Sequence, residues 1–337
     1  MNRKIAGLWI VITILFGISS QDLLAKDTFY YIGYGMIQVV DGDTDAIVAN
    51  IPVDGFLRET DFSADQKFLY VTSKRHLIHK IDLQEKRVVS TIDVNEKQWD
   101  HFIYGFDLAP DGKTAFVNLL SRNTRKGEAI VAAPQLAQID LQDGKILRSI
   151  EVPWSSVSLV SVKNSTNIYV IGKDIVKVDV SGKDMKLMDT YPMYEKQWNV
   201  LPLWDNSREN GGTFMVNYYT PEGMGLVSID TKTGEISNTP LKGPPVFAYS
   251  VMRSPDKRKV YAVMDELTVI DLESRTYEAI APVPDGTNYA INISSDGSKV
   301  YVAGGGSTTT VYDTKTLKPI KVLQMETDGM DFRRLSF

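Results

Sequence analysis

The chain has no cysteine among its 337 residues. That absence removes a thiolate nucleophile, a Cys-x-x-Cys-His haem attachment, and any cofactor cross-linked through a cysteine sulfur. Histidine is almost as scarce: His76, His79 and His101 are the whole supply. Three imidazoles and no thiol leave little for a transition-metal site of nitrogen and sulfur ligands. There is no Gly-x-Ser-x-Gly elbow, and the clusters Gly33-Tyr-Gly35 and Gly304-Gly-Gly306 do not open helices, so they are not nucleotide fingerprints. An excess of basic charge is also lacking. The 37 Lys and Arg against 42 Asp and Glu give a net charge of −5, which argues against nucleic acid as a partner. It fits an exported protein, or one that docks on a basic partner.

Residues 1–25 read as a signal peptide. Arg3 and Lys4 precede the nearly continuous apolar run Ile5 to Ile18, and Leu23-Leu24-Ala25 ends on a small residue suited to cleavage. The run is short for a spanning helix. The expectation is a periplasmic protein, not inserted in the membrane after cleavage, whose residues 26–337 form one domain. An oxidising compartment permits disulfides without demanding them.

What is present is a repeat. A β-rich run ending in aspartate, then a turn, then another β-rich run recurs at Asp41, Asp82, Asp140, Asp179, Asp230, Asp271 and Asp313, at spacings of 41, 58, 39, 51, 41 and 42 residues. A period near forty residues with several short strands per unit marks a β-propeller blade. The fullest copies are Asp107-Leu-Ala-Pro-Asp-Gly-Lys-Thr-Ala-Phe-Val117 with Gln138-Ile-Asp140, and Asn292-Ile-Ser-Ser-Asp-Gly-Ser-Lys-Val-Tyr-Val302 with Thr310-Val-Tyr-Asp313. Pro presets φ and Gly accepts φ > 0 in the first turn. The Tyr-Val or Phe-Val run after it suits a strand. The anchor aspartate can accept hydrogen bonds from its own turn. Each unit is thus four strands: A before the Pro-Asp-Gly turn, B after it, C ending at the anchor, and D beyond. The N-terminal unit lacks A, and Gly329 to Leu335 resembles an orphan A. The expected fold is all-β: seven four-stranded antiparallel blades, the ring closed by the C-terminal strand A joining the N-terminal blade.

Local candidates for chemistry are weak. His76 and His79 sit three apart on a strand, which puts them on opposite faces and against a shared metal; surface or turn positions are expected. Asp41-Gly-Asp-Thr-Asp45 starts like a calcium loop but has Ala46 and Pro52 where that loop needs Gly and Glu, so a plain C–D turn is expected. Gly304 to Gly306 reads as a bend between strands B and C. Asp100 with His101 is the one candidate pair for a hydrolase.

Departures from the repeat are more informative, because propellers bind through loops at the mouths of the ring. Residues 95–104 and 191–200 are long D–A connections that share the word Glu-Lys-Gln-Trp. Residues 118–136 and 217–224 are B–C insertions. D–A and B–C connections lie on one face of a four-stranded blade ring. Trp99, Asp100, Tyr194, Trp198, Tyr218 and Tyr219 are therefore candidates for a subunit interface or substrate-pocket wall. The alternative is that these aromatics plug the mouth and pack on one another.

The stretches Leu108-Ala-Pro-Asp-Gly-Lys-Thr114, Leu136-Ala-Gln-Ile-Asp140, Ile168-Tyr-Val-Ile-Gly-Lys-Asp174, Trp198 to Trp204, Gly225 to Glu235, Asn292 to Ser298 and Tyr312 to Leu317 resemble the β subunit of quinohaemoprotein amine dehydrogenase. The heavy chains of methylamine and aromatic amine dehydrogenases are more distant relatives of it. The resemblance runs over nearly the whole of residues 26–337 in the same unit order, and the placement of the insertions in the third and fifth units is its most specific part. It implies a heterotrimer that oxidises primary amines to aldehyde and ammonia. A dihaem cytochrome c α subunit would carry haem c, and a small γ subunit would carry cysteine tryptophylquinone and the catalytic acid–base residue. The propeller would hold the γ subunit and line part of the amine pocket, with no cofactor, metal or catalytic residue of its own. A free-standing binding propeller of the YVTN type and a lactonase-type hydrolase are the other readings.

Overall fold

The computed structural model describes residues 26–125, 127–200, 212–284 and 288–336. The signal-peptide reading of residues 1–25 lies outside them. Apart from one 3-10 turn at Tyr194–Lys196, the described elements are strands. No helix among the described residues is long and apolar enough to cross a membrane.

The strands form six antiparallel sheets. The first contains β1 (Asp27–Asp41), β2 (Ala46–Phe62), β3 (Phe68–Ser73), β4 (Leu77–Asp82) and β5 (Arg87–Asp93). The second contains β6 (Asp100–Leu108), β7 (Thr114–Arg125), β8 (Glu128–Val131), β9 (Gln135–Asp140) and β10 (Ile146–Glu151). The third runs β11 (Ser158–Ser161), β12 (Asn167–Ile171), β13 (Ile175–Asp179) and β14 (Lys186–Tyr191). The fourth runs β15 (Asn199–Val200), β16 (Thr213–Thr220), β17 (Gly223–Asp230) and β18 (Ile236–Pro240). The fifth is β19 (Ser250–Arg253), β20 (Lys259–Val263), β21 (Glu266–Asp271) and β22 (Thr276–Pro282). The sixth is β23 (Asn288–Ile293), β24 (Lys299–Gly304), β25 (Thr308–Asp313) and β26 (Pro319–Gln324). The last strand, β27 (Gly329–Ser336), pairs with the N-terminal half of β1 from Asp27–Ser336 to Gly33–Gly329.

This is the four-stranded antiparallel blade of a β-propeller. The expectation of seven separate blades is corrected to six sheets, the first of them six elements wide in the order β27-β1-β2-β3-β4-β5. The reason is β2, an unbroken 17-residue strand. It pairs with β1 from Ala46 to Phe56 and changes partner at Leu57 to pair with β3. Neighbouring hydrogen bonds therefore carry the first four-strand set into the next without a gap.

Burial grades outward along each blade. The second strands, such as β12 and β24, have buried residues on both faces because a sheet packs on either side. The outer strands β10, β14 and β26 are largely exposed. Between the sixth sheet and the first, Phe29, Tyr301 and Phe332 pack with ring centroids 4.2 to 5.5 Å apart. Buried Asp45 there accepts from the Tyr301 hydroxyl at 2.5 Å and pairs with Lys299 at 2.7 Å.

The C–D turns form as the repeat predicts. At all seven anchors, Asp41, Asp82, Asp140, Asp179, Asp230, Asp271 and Asp313, the carboxylate accepts at least one backbone N–H of its own turn. Asp41 also accepts from the Thr44 N–H and hydroxyl. These bonds hold its pKa down to about 2. The segment Asp41–Asp45 is thus a turn between strands, and no cluster of three or more metal-ligating side chains occurs among the described residues. Gly304, at φ +150, bends the chain where a Cβ would lie 2.7 Å from Asn288 Cα.

Candidate functional site

Among the described residues the strongly exposed aromatics are Tyr34, Phe56, Trp154, Tyr194 and Phe247. Trp154, Tyr194 and Phe247 lie in D–A connections, whereas Tyr34 and Phe56 pair across β1 and β2 beside a register break. The exposed aliphatics lie on β2, on the outer strands and on β8. The two Glu-Lys-Gln-Trp loops carry most of the residues singled out from sequence.

The first loop, residues 94–100, links the first sheet to the second. Glu96 and Trp99 exchange backbone hydrogen bonds at 3.0 and 3.2 Å, which closes a tight turn. Asn95 Oδ1 accepts the His101 N–H at 2.7 Å. Trp99 is half-buried. Asp100 accepts from Arg122 at 2.9 Å, and the same guanidinium lies over the Phe102 ring. Strand alternation sends the next residue the other way. His101 is 5% exposed, and its Nδ1 meets Ser121 Oγ at 2.8 Å. The expected Asp100–His101 pair is therefore split between two faces of β6. Burial pushes the His101 pKa down, against the pull of Glu96 and Asp100. Among the described residues no carboxylate orients the Ser121–His101 pair, so the two do not form a hydrolase triad.

A polar cleft of about 290 Å³ opens between this loop and β7, lined by Lys97, Gln98, Asp100, Asn123 and Thr124. Asn123 is buried, and among the described residues its Oδ1 has no hydrogen-bond partner; nor has His101 Nε2. A buried orphan of this kind costs roughly 1–3 kcal/mol and calls for a water or ligand.

The second loop, residues 192–200, links the third sheet to the fourth. Asp174 Oδ1 accepts the N–H groups of Met193 and Tyr194 at 2.8 and 2.9 Å, which starts the 3-10 turn. Gln197 ends it in a left-handed conformation, φ +57. Trp198 then stacks on Tyr218, centroids 4.2 Å apart and planes 14° from parallel. Lys196 Nζ lies over both Tyr191 and Trp198. Tyr218 is buried, donates to Asn238 Oδ1 at 2.7 Å, and has its pKa raised by desolvation. The Tyr219 hydroxyl donates to Val246 O at 3.1 Å and accepts from Ala248 N–H at 2.8 Å, tying the fourth sheet to the connection before the fifth. Tyr194 remains 67% exposed, with Lys173 Nζ 5.1 Å from its ring centre.

The structure thus joins Trp198 to Tyr218 by stacking and places Tyr219 beside Phe247. Trp99 and Asp100 stand in a different connection. Sequence reasoning passed over Tyr34, Phe56, Trp154 and Phe247, although Pro153-Trp154 and Gly243-Pro-Pro-Val-Phe247 carry turn residues beside the ring. The histidine expectation needs a correction too. His76 is partly exposed and meets Asp93, but His79 is buried between Ser73 and Thr91 hydroxyls at 2.7 and 2.9 Å. It sits mid-strand on the covered face of β4, where two hydroxyls replace water.

Fold and loop face together define a β-propeller. No protein-family model matches the chain, and no curated protein does. Solved structures do. Kuenenia stuttgartiensis hydrazine synthase is 16% identical with a TM-score of 0.57, over 87% of this chain and 90% of that one. Dihydro-heme d1 dehydrogenase NirN in complex with DHE is 14% identical with a TM-score of 0.56, over 92% and 75%. A functionally unknown protein from Desulfotomaculum acetoxidans DSM 771 is 14% identical with a TM-score of 0.62, over 92% and 98%. At such identities the likeness is one of fold.

Proposed function

We propose that this chain is the non-catalytic propeller subunit of a periplasmic quinohaemoprotein amine dehydrogenase. Residues 1–25 export it. It holds a small quinone-bearing γ subunit beside a dihaem cytochrome c α subunit and walls part of the pocket in which primary amines are oxidised. The observation that carries the reading is the exposure of Trp154, Tyr194 and Phe247 in the D–A connections, with Tyr34 and Phe56 also exposed where β1 and β2 pair. Exposed rings clustered on a rigid scaffold are interface anchors. The resemblance of the repeat words supports it. In this reading the chain excludes water from the quinone, a source of selectivity, and Trp99, Asp100 and Tyr194 reach the partner. Trp198, Tyr218 and Tyr219 brace the loops from behind.

The same reading takes the ring as seven units. Gly42 N–H returns to Asp27 O at 3.0 Å, so β1 folds back on itself as strands B and C, with β27 as its A and the start of β2 as its D. The wide first sheet is then two units joined through β2, in a closed ring.

The test is a mild pull-down from the native periplasm followed by an optical spectrum. Haem absorption with a small quinone-staining polypeptide is the expected result. A colourless, solitary chain would sink the amine dehydrogenase reading. It would favour the free-standing binding propeller, to which the internal stacking of Trp198 on Tyr218 is equally suited.

A further inference from the structure

β8 stands outside the four-strand plan. It pairs with β7 alone, from Arg122–Val131 to Arg125–Glu128, with no break in register. All four of its residues are exposed. Ile130 and Val131 point to opposite faces by alternation and are 54% and 51% exposed, so the strand is open on both faces. Its hydrogen bonding can be phased. Ala132 N–H donates to Ser121 O at 2.9 Å, so residues 128, 130 and 132 turn their backbone groups toward β7. Ala129 and Val131 turn theirs to the opposite edge. Among the described residues no strand or loop pairs with that edge.

The other outer edge strands are guarded. β5, β10, β14, β22 and β26 each carry a register break against their inner neighbour. They also carry Arg87, Arg148, Lys186, Pro282, and Pro319 with Lys321, respectively, while β18 ends in Pro240. Bulges, basic residues and prolines are the devices that keep an edge from recruiting another strand. β8, Glu-Ala-Ile-Val, has none of them.

We propose that the free edge of β8 receives an extended acidic and apolar segment of another polypeptide, which adds as a further strand. Charge selects the occupant. By sequence, residues 122 to 128 hold three basic side chains against Glu128; with Asp100 paired to Arg122 one positive charge is left in excess, in a chain of net charge −5. An acidic strand complements that sign. A second copy of this chain would bring an equally basic hairpin alongside. The backbone edge supplies affinity, and Ile130 and Val131 offer apolar contact on either face. The inference rests on the partner-holding reading for the existence of a polypeptide partner and adds how it is gripped.

The test uses the full chain and a fluorescein-labelled octapeptide of alternating Glu and Val, followed by fluorescence anisotropy. Saturable binding is expected. Val131→Pro removes an outward N–H and leaves the bonds to β7, so it should weaken binding at least tenfold with an unchanged thermal melt. The same peptide N-methylated on alternate amides should fail to bind the unaltered chain, which keeps the test independent of any variant. Several results would overturn the proposal: no binding at millimolar peptide, equal binding of a Lys–Val octapeptide, undiminished binding of the N-methylated peptide, or a dimer of the unaltered chain that Val131→Pro dissociates. If the peptide binds but the pull-down yields no haem, the edge stands and the amine dehydrogenase reading falls; a coloured complex that Val131→Pro leaves intact removes the edge alone.

Discussion

The four residues Glu-Lys-Gln-Trp occur twice and fold two ways. At Glu96–Trp99 they close a tight turn on themselves and leave a polar cleft beside it. At Glu195–Trp198 they begin within a 3-10 turn, pass through a left-handed Gln197, and deliver the indole onto Tyr218. The local propensities are identical, so the neighbours decide. Asp174 offers the second copy a carboxylate for two N–H groups, and Tyr218 offers a flat face. The first copy has Asn95 holding His101 and no ring stacked on Trp99 among the described contacts. One loop is a brace and the other the rim of an opening.

The sharpest way to break that contrast is to remove each indole. Trp198→Ala loses a stacked, half-buried ring in a core cluster, and is expected to cost about 2–4 kcal/mol in urea unfolding. Trp99→Ala should cost about 1 kcal/mol or less. Equal losses would show that the two loops are braced alike. Next come the polar anchors. Asp174→Ala leaves two N–H groups without their acceptor and should cost about 1–2 kcal/mol, against about 1 kcal/mol for Asn95→Ala, which leaves one.

Acid distinguishes the loops further, because His101 lies against the first and the second has no histidine. Burial lowers the folded pKa of His101 and of His79. Below the ordinary value of 6.5 the unfolded chain binds protons that the folded chain refuses, so stability declines as pH falls through that point toward the folded pKa. Unfolding midpoints at pH 7.5 and 5.5 should differ less in His101→Gln than in the unaltered chain. The anchor Asp41 acts in a lower window. Its stabilisation is present above 3.8 and is lost as pH falls toward about 2. The smallest effect on stability belongs to the exposed rings. Tyr194→Ala and Phe247→Ala should shift unfolding by under about 0.5 kcal/mol while abolishing co-purification of a partner. A large loss of stability would reassign them to packing.

Much of the architecture was legible in the sequence because its turns are local chemistry. Each anchor aspartate accepts from a backbone N–H two or three residues further on, and no distant contact is needed to see that. The sheet count was not legible. Pro52 and Gly55 look like punctuation between units, yet β2 runs through both, with Gly55 at φ +97, because the strand exchanges one partner for another beyond them. Of the candidate site, the loops could be located but not the direction of their side chains. Tyr218 and Tyr219 read alike in sequence; register sends one into the core against Trp198 and ties the other to Ala248. The grouping of His101, Ser121 and Asn123 on one face depends on the pairing of β6 with β7, which only the folded register reveals.

The seam between β1 and β27 also has a meaning in time. Ser336 donates to Asp27 across a sequence separation of 309 residues. Bringing ends so distant together costs about 5 kcal/mol in loop entropy, and contacts of such range form slowly. Until they form, Phe29 and Tyr31 wait without Phe332, and the folding chain carries a bare strand edge at each end. The first described strand to be synthesised is thus completed by the last, and the interval between them is when this protein is most open to the wrong neighbour.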